Sequence, residues 1–326
     1  MPWLKIKIMD NKNNKEIKMF ESFFSKSNTL KDSLPEVRGQ YIENAKLSKH
    51  TWFGVGGPAE VLYLPEDEED LKLFLLKKPE GVPVTVIGGG SNLLVRDGGI
   101  LGVVIKLDNP NFKKISLEGD LLKVGAGLNN GDLKKFMIQN EVGGLEFITS
   151  VPGRIGGLLR TNAGCFGGSV ADVLVSAKIM NDWGEIYEVD KEDFNFSYRT
   201  SMFPEHWIVL EASFKWVKKN SEEIKKIFDE HKKYREAHQP INKRTAGSTF
   251  KNPEGLAAWK LITDSGCAGL KVGGAEVSSM HSNFLINSGN ATAEDIEKLG
   301  EMIIEKVKEK TSITLEWEVR RMGVKK

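Results

Sequence analysis

The stretch 143–168, GGLEFITSVPGRIGGLLRTNAGCFGG, constrains this chain more than any other segment. Eight of its 26 residues are glycine, set among Pro152, Arg154, Arg160, Thr161 and Asn162. Glycine loses more backbone freedom on folding than any other residue, so this density inside a folded domain needs a compensating use. The usual one is close approach of the backbone to a phosphate or a flat ring, where main-chain N–H groups do the binding. A second loop of the same kind, GGGSN at 88–92, follows the apolar run Val84–Ile87. Two such loops fit a large anionic ligand with two ends, and a dinucleotide answers that description. The alternative is a pair of tight turns that bind nothing.

A chain of 326 residues exceeds what one hydrophobic core usually organises, so two or three domains are expected. Hydrophobic residues make up 40% and charged residues 28%, the balance of an ordinary globular protein. A formal net charge of +1 gives no electrostatic case for a nucleic acid or an anionic membrane as partner. No apolar run approaches the roughly 18–20 residues of a membrane span. The lysines near the N-terminus are not followed by the apolar stretch of a secretory signal. Two cysteines, Cys165 and Cys267, are too few for a disulfide framework and point to a reducing, cytoplasmic setting. Neither has a partner at metal-ligand spacing, and His231 and His238 stand too far apart to chelate, so no metal is expected.

Residues 1–45 are Lys/Asn-rich and weakly patterned, an N-terminal extension with room for a short helix over 28–45. A two-part unit is expected over 46–220, divided near 108. It opens with strand Glu60–Leu64 and an acidic helix start at Glu66–Asp70 running to Lys77. Strands Val84–Ile87, Leu93–Arg96, Val103–Leu107 and Leu121–Gly125 follow, then a helix over Asp132–Asn140. Val175–Asn181 and Glu185–Val189 read as a hairpin turning at Asp182–Gly184, and Ile208–Val217 as a further strand. The charged helix Glu222–His238 reads as a connector into a separate α+β unit over 221–312. Its elements are helix Leu256–Asp264, strands Ala275–Val277 and Asn283–Ile286, and helix Ala293–Lys310. A last strand, Ile313–Val319, lies in the closing segment 313–326. The run GAGLNNG at 125–131 also joins a strand to a helix, but its spacing is GxGxxxG rather than GxGxxG, and no acidic residue closes a second strand at the right distance. No GxxxxGK[ST] run is present.

Eight segments, in order, resemble the UDP-N-acetylenolpyruvoylglucosamine reductase (UDP-N-acetylmuramate dehydrogenase) family: TWFGVGGPA (51–59), VIGGGSNLLV (86–95), VPGRIGGLLRTNAGCFGG (151–168), YRTSMF (198–203), GSTFKNP (247–253), AWKLITDSG (258–266), GGAEVSSMHSNFLIN (273–287) and LEWEVR (315–320). The short interval from Arg199 to Ser248 resembles the branch without an extra tyrosine loop over the substrate, and Tyr234 is not assigned that role. The family often has Pro where Trp317 stands, and many relatives have Pro near Arg244. The resemblance implies an α+β fold: a two-part FAD-binding region of the PCMH/vanillyl-alcohol-oxidase type with a C-terminal substrate domain, and a last strand that returns Glu318 to the active site. It implies non-covalent FAD, NADPH as co-substrate, a nucleotide-sugar enolpyruvyl ether as substrate, a cytoplasmic setting and a monomer. Gly88, Gly89, Gly90, Ser91, Asn92 and Leu93 would hold the cofactor, with Pro152, Gly153, Gly156, Gly157, Asn162, Ala163 and Gly164.

The family reaction reduces an α,β-unsaturated carboxylate. Charge moves onto the α-carbon and carboxylate as hydride reaches the β-carbon, so the site needs a hydride source, a cation at the carboxylate and a proton donor. No side chain carries hydride, which makes a redox cofactor obligatory. By resemblance Arg199 meets the carboxylate, Ser248 is the proton donor, and Glu318 either orients the arginine or donates when protonated. Tyr198, Arg235, Lys251, Asn252 and His281 are the expected substrate contacts. Read singly, each of these residues also suits a plain structural place: a surface ion pair, a turn, an exposed strand face. Two other functions fit less well, a flavoprotein oxidase of the same fold and a binding protein without turnover. GSTFKNP with LEWEVR argues against the first, and retention of Arg199, Ser248 and Glu318 against the second.

Overall fold

The computed structural model describes residues 29–326. Most of the expected N-terminal extension, 1–28, lies outside them. Within 28–45 a single turn of helix, Leu30–Ser33, is followed by strand β1, Gln40–Lys46, so the segment read as extension contributes a strand. β1 pairs antiparallel with β2 (Pro58–Leu64). Helix α1 (Glu68–Lys77) follows, its first turn capped by the Asp67 side chain accepting from the Asp70 N–H. Then come β3 (Val84–Val86), β4 (Leu93–Val95) and β5 (Ile100–Ile105), and β5 pairs in parallel with both β2 and β3. The sheet order is β1-β2-β5-β3. β5 is apolar on both faces because both are covered. Val103 and Ile105 join one core with Val61, Tyr63 and Phe74, while Val104 packs on the opposite face with Leu62 and Ile87.

The second unit begins with β6 (Ile115–Glu118) and β7 (Leu121–Gly125). Helix α2 (Asn130–Asn140) follows, and two short helices, α3 (Glu146–Ser150) and α4 (Ile155–Arg160), run through the glycine-rich stretch. β8 (Leu174–Met180), β9 (Ile186–Asp190) and β10 (Ile208–Lys215) complete an antiparallel sheet of order β9-β8-β10-β7-β6. The hairpin read at Asp182–Gly184 is the β8–β9 turn. GAGLNNG ends β7 and caps α2: Asn129 accepts from the Asp132 N–H, and Gly127 lies so close to the Leu107 carbonyl that a Cβ would stand 2.3 Å from it.

Helix α5 (Ser221–His238) buries Ile224 and Phe228 in the core shared by the two N-terminal units. Its packing therefore belongs to those units, although residue 221 opens the C-terminal unit in the sequence reading. The third unit holds α6 (Ala258–Asp264), strands β11 (Lys271–Val272), β12 (Ala275–Val277) and β13 (Leu285–Asn287), and α7 (Ala293–Thr311). Phe53, Val55 and Leu94 from the first unit sit in its core. The strand expected over Ile313–Val319 is replaced by an extended segment with one bridge, Phe250 to Trp317. The true strand is β14 (Arg320–Met322), parallel to β4. Leu315 and Val319 do alternate into the core, but the Glu318 N–H is already committed to the Thr249 carbonyl at 2.8 Å.

Candidate active site

The three units meet at a groove with two adjoining lobes of about 520 and 460 Å³, which share Gly88, Arg154, Gly157 and Arg320. Loop 88–92 forms one wall. Its approach is steric: Gly90 has φ +67°, and a Cβ there would lie 1.8 Å from the His50 carbonyl oxygen. Ser91 Oγ donates to the Pro152 carbonyl at 2.7 Å and fastens this loop to the second glycine-rich stretch. Among the described residues, no backbone N–H from Gly88 to Asn92 donates to a protein acceptor. Five successive main-chain donors without a protein acceptor, in a loop that lines the groove, suit an anion. Opposite them, a Cβ on Gly157 would meet nothing within 4 Å. These features fit the diphosphate of FAD.

Arg160 lines the next wall, and Asn162 braces it. The half-buried Arg160 guanidinium donates to the carbonyls of Phe203, Pro204 and Trp207 and stacks on the Phe203 ring, 3.7 Å from its centroid. Burial lowers its pKa to about 10. Asn162 Nδ2 donates to the Ser197 carbonyl at 3.0 Å, and its Oδ1 accepts from the Ala171 N–H. These bonds hold the tight turn in which Ser197 and Thr200 exchange backbone hydrogen bonds. Arg199 sits in that turn at φ +57°, a left-handed conformation that a bulky residue adopts only under constraint.

Arg199, Ser248 and Glu318 all line the larger lobe. Arg199 Nε stands 3.0 Å from Glu318 Oε1, yet its N–H has no well-directed acceptor and is buried. Burial raises the Glu318 pKa against the opposing pull of Arg199 and Lys251. Ser248 bridges Phe284, and Asn283 pins the next residues by accepting from the Phe250 N–H and donating to the Phe250 carbonyl. Thr249 receives the N–H of Glu318, which places the serine and the carboxylate in adjacent extended segments.

Of the expected cofactor residues, Gly88–Leu93, Pro152, Gly153, Gly157, Ala163 and Gly164 line the larger lobe, and Gly156 lines the smaller. Asn162 does not; its amide is consumed by Ser197 and Ala171. Arg235 reaches the groove, anchored by Ser150 and Gln239. Tyr198, Lys251, Asn252 and His281 lie off the wall. Tyr198 is exposed beside Arg199, Lys251 faces Glu316, and Asn252 Oδ1 accepts from the Ala258 N–H at the start of α6. His281 stands behind Phe284, which does line the lobe. Arg320, Phe166 and Gln239 line it with no motif that marks them, and so does Tyr234, which the sequence left without a substrate role. Phe166 stacks on His231 of α5 at 3.8 Å, a long-range contact with no sequence signature. Among the described residues no cluster of His, Cys, Asp or Glu could hold a metal ion, and no helix is long and apolar enough to cross a membrane.

Residues 59–190 match the FAD binding domain family, and residues 239–322 match the UDP-N-acetylenolpyruvoylglucosamine reductase C-terminal domain family. Over 296 residues the chain is 46% identical to the UDP-N-acetylenolpyruvoylglucosamine reductase of Bradyrhizobium sp. (strain ORS 278), an alignment covering 91% of this chain and 96% of that one. The protein of the same name from Parvibaculum lavamentivorans is 47% identical over 297 residues, again 91% and 96% of the two chains. The crystal structure of the Thermus caldophilus reductase superposes with a TM-score of 0.76 at 34% identity, covering 88% of this chain and 100% of that one.

Proposed function

The chain belongs to the UDP-N-acetylenolpyruvoylglucosamine reductase family, and from that premise we propose that Arg199, Glu318 and Ser248 divide the work of its substrate-reducing step. The reaction is the NADPH-dependent reduction of UDP-N-acetylglucosamine enolpyruvate to UDP-N-acetylmuramate in peptidoglycan precursor synthesis. Bound FAD supplies the hydride that reaches the enolpyruvyl β-carbon, having been charged by NADPH. The observation that carries the assignment is the meeting of three separate segments, at 199, 248 and 318, in one lobe of the groove.

Arg199 takes the substrate carboxylate, where charge collects as the β-carbon is reduced. Its guanidinium is held beside Glu318, with Nε 3.0 Å from Oε1, on the lining of the groove, which supports this reading because a cation fixed in place meets a developing negative charge without reorganising. Glu318 orients the guanidinium by its charge. Ser248 gives its hydroxyl proton to the α-carbon; a weak acid suffices because an enolate carbon is strongly basic and the donor is held in place. The backbone donors of 88–92 hold the FAD diphosphate non-covalently, and Arg235 contacts the substrate. The substrate is a cytoplasmic nucleotide sugar, so the protein works in the cytoplasm, as a monomer and without membrane or nucleic acid.

The test separates the two half-reactions by stopped-flow absorbance of the flavin. Ser248→Ala is expected to leave reduction by NADPH nearly intact and to slow reoxidation by the enolpyruvyl nucleotide by roughly 10²–10⁴-fold, the range for a positioned acid. Normal reoxidation in that variant would remove Ser248 as the proton donor.

A further inference from the structure

Asn92, expected among the cofactor contacts, turns its side chain toward the chain that carries Glu318. β14 runs parallel to β4 with Arg320 opposite Leu93, and the Arg320 N–H donates to the Asn92 carbonyl at 3.0 Å. In a regular parallel ladder the next rung would carry the Asn92 N–H to the Glu318 carbonyl. That carbonyl is taken instead by the Asn92 side-chain amide, Nδ2 to O at 3.1 Å. The Asn92 N–H meanwhile has no protein acceptor among the described residues. The side chain replaces the backbone in the ladder and leaves the main-chain donor without a protein acceptor, as in residues 88–91, within a loop that lines the groove.

We propose that Asn92 is a positioning residue for Glu318 and, by the same hydrogen bond, keeps its own N–H available to the cofactor diphosphate. The inference rests on the reading of Glu318 given above. Glu318 is then held on both sides of its peptide. Its N–H goes to Thr249, next to Ser248, and its carbonyl goes to Asn92, next to the diphosphate cradle. One contact sets the carboxylate against the proton donor, and the other sets it against the cofactor. Removing the amide frees the Glu318 carbonyl to recapture the Asn92 N–H, which costs the cradle a donor and lets the carboxylate drift from Arg199.

Two holoenzyme variants test this. Asn92→Ala removes the donor. Asn92→Asp keeps the volume, sets an acceptor against the carbonyl, and serves where the alanine variant fails to fold. Three quantities are measured: the FAD dissociation constant of the apoprotein by fluorescence, each flavin half-reaction at saturating FAD, and the pH profile of reoxidation by the enolpyruvyl nucleotide. FAD affinity is expected to fall about tenfold, the effect of one well-placed hydrogen bond. At saturating FAD, reduction by NADPH should stay near the wild-type rate. Reoxidation should slow by about tenfold or more, with its acid limb displaced along the pH axis. An unmoved acid limb would make Asn92 a cofactor contact alone and overturn the proposal, as would equal slowing of both half-reactions. Failure of the wild type to reoxidise with the enolpyruvyl nucleotide would instead sink the reading of Glu318, and FAD affinity would still decide whether the amide releases the N–H.

Discussion

Glu318 shows how a common residue acquires an uncommon property. An ordinary glutamate titrates near pH ~4.3; burial in the groove raises this one, and Arg199 only partly opposes the shift. Protonation removes the charge that faces the guanidinium. Reoxidation of the flavin by substrate is therefore expected to decline on acidification from a pH above the usual carboxylate range. Glu318→Gln should be slow throughout and lack that limb; stopped-flow rates between pH 8 and pH 5 check it. An unshifted wild-type limb would remove the link between burial and orientation. Arg199 itself pays for its place with a left-handed backbone, a strain of about 1–3 kcal/mol by the usual scale. The sequence names Arg199 through YRTSMF, but nothing in that motif announces its φ. The Asn162 amide and the Arg160 carbonyl, hydrogen-bonded to Ser197 and Ser201 on either side of the turn, hold that conformation.

Elements whose pattern and partners agree were readable: β2, the β8–β9 hairpin, α5 and α7 all lie within a few residues of the expected bounds. β1 was not, because it is half-exposed and QYIENAK carries Glu43 and Asn44 in mid-strand. The segment 313–319 alternates like a strand and is extended, yet alternation reports which side chains are buried and says nothing of which backbone group answers which. The glycines of 143–168 hid α3 and α4, since propensity argues against helix where tertiary packing enforces it. The departure at Trp317 also has a partner that no motif shows. The indole packs where Gly300 of α7 has no side chain, and a Cβ there would stand 2.2 Å from it. The glycines themselves differ in use. A Cβ on Gly89 would press on Gly153 Cα at 3.2 Å, so Gly89→Asp disturbs the packing of both loops, whereas Gly157 opens onto empty groove. Gly157→Asp in α4 is expected to melt like the wild type but to bind FAD more than about 100-fold weaker, because its carboxylate would face the diphosphate. A yellow preparation of that variant with stoichiometric flavin would refute the placement of the cradle.

At the scale of the molecule, Asp108 sits where the two N-terminal units join. It faces Lys106 at 3.2 Å, Lys113 at 2.8 Å and Arg154 at 2.7 Å, and Lys106 Nζ also lies 3.1 Å from His50 Nδ1. Burial works against its ionisation, but the hydrogen bonds from Lys113 and Arg154 outweigh it and hold the carboxyl well below the usual range. A carboxylate with a lowered folded pKa contributes stability that is complete above the unfolded value, near ~3.9, and is lost as pH falls below it. Asp108→Asn is expected to melt a few degrees lower at pH 7, with the gap to wild type closing as the pH is lowered through 4. Thermal scans across that range test it, and a constant gap would exclude Asp108 as the titrating fastener.

The parallel pairing of β14 with β4 also has a consequence in time. Asn92 and Glu318 are separated by 226 residues. At ribosomal rates of about 5–20 residues per second, the loop that cradles the diphosphate leaves the ribosome roughly ten to fifty seconds before the segment that completes it. Throughout that interval Asn92 has no carbonyl to hold, and Leu94 and Phe53 wait for a core that has not been made. The nascent chain can fold its first sheet, but the loop gains the partner of its Asn92 side chain only once synthesis has passed residue 322.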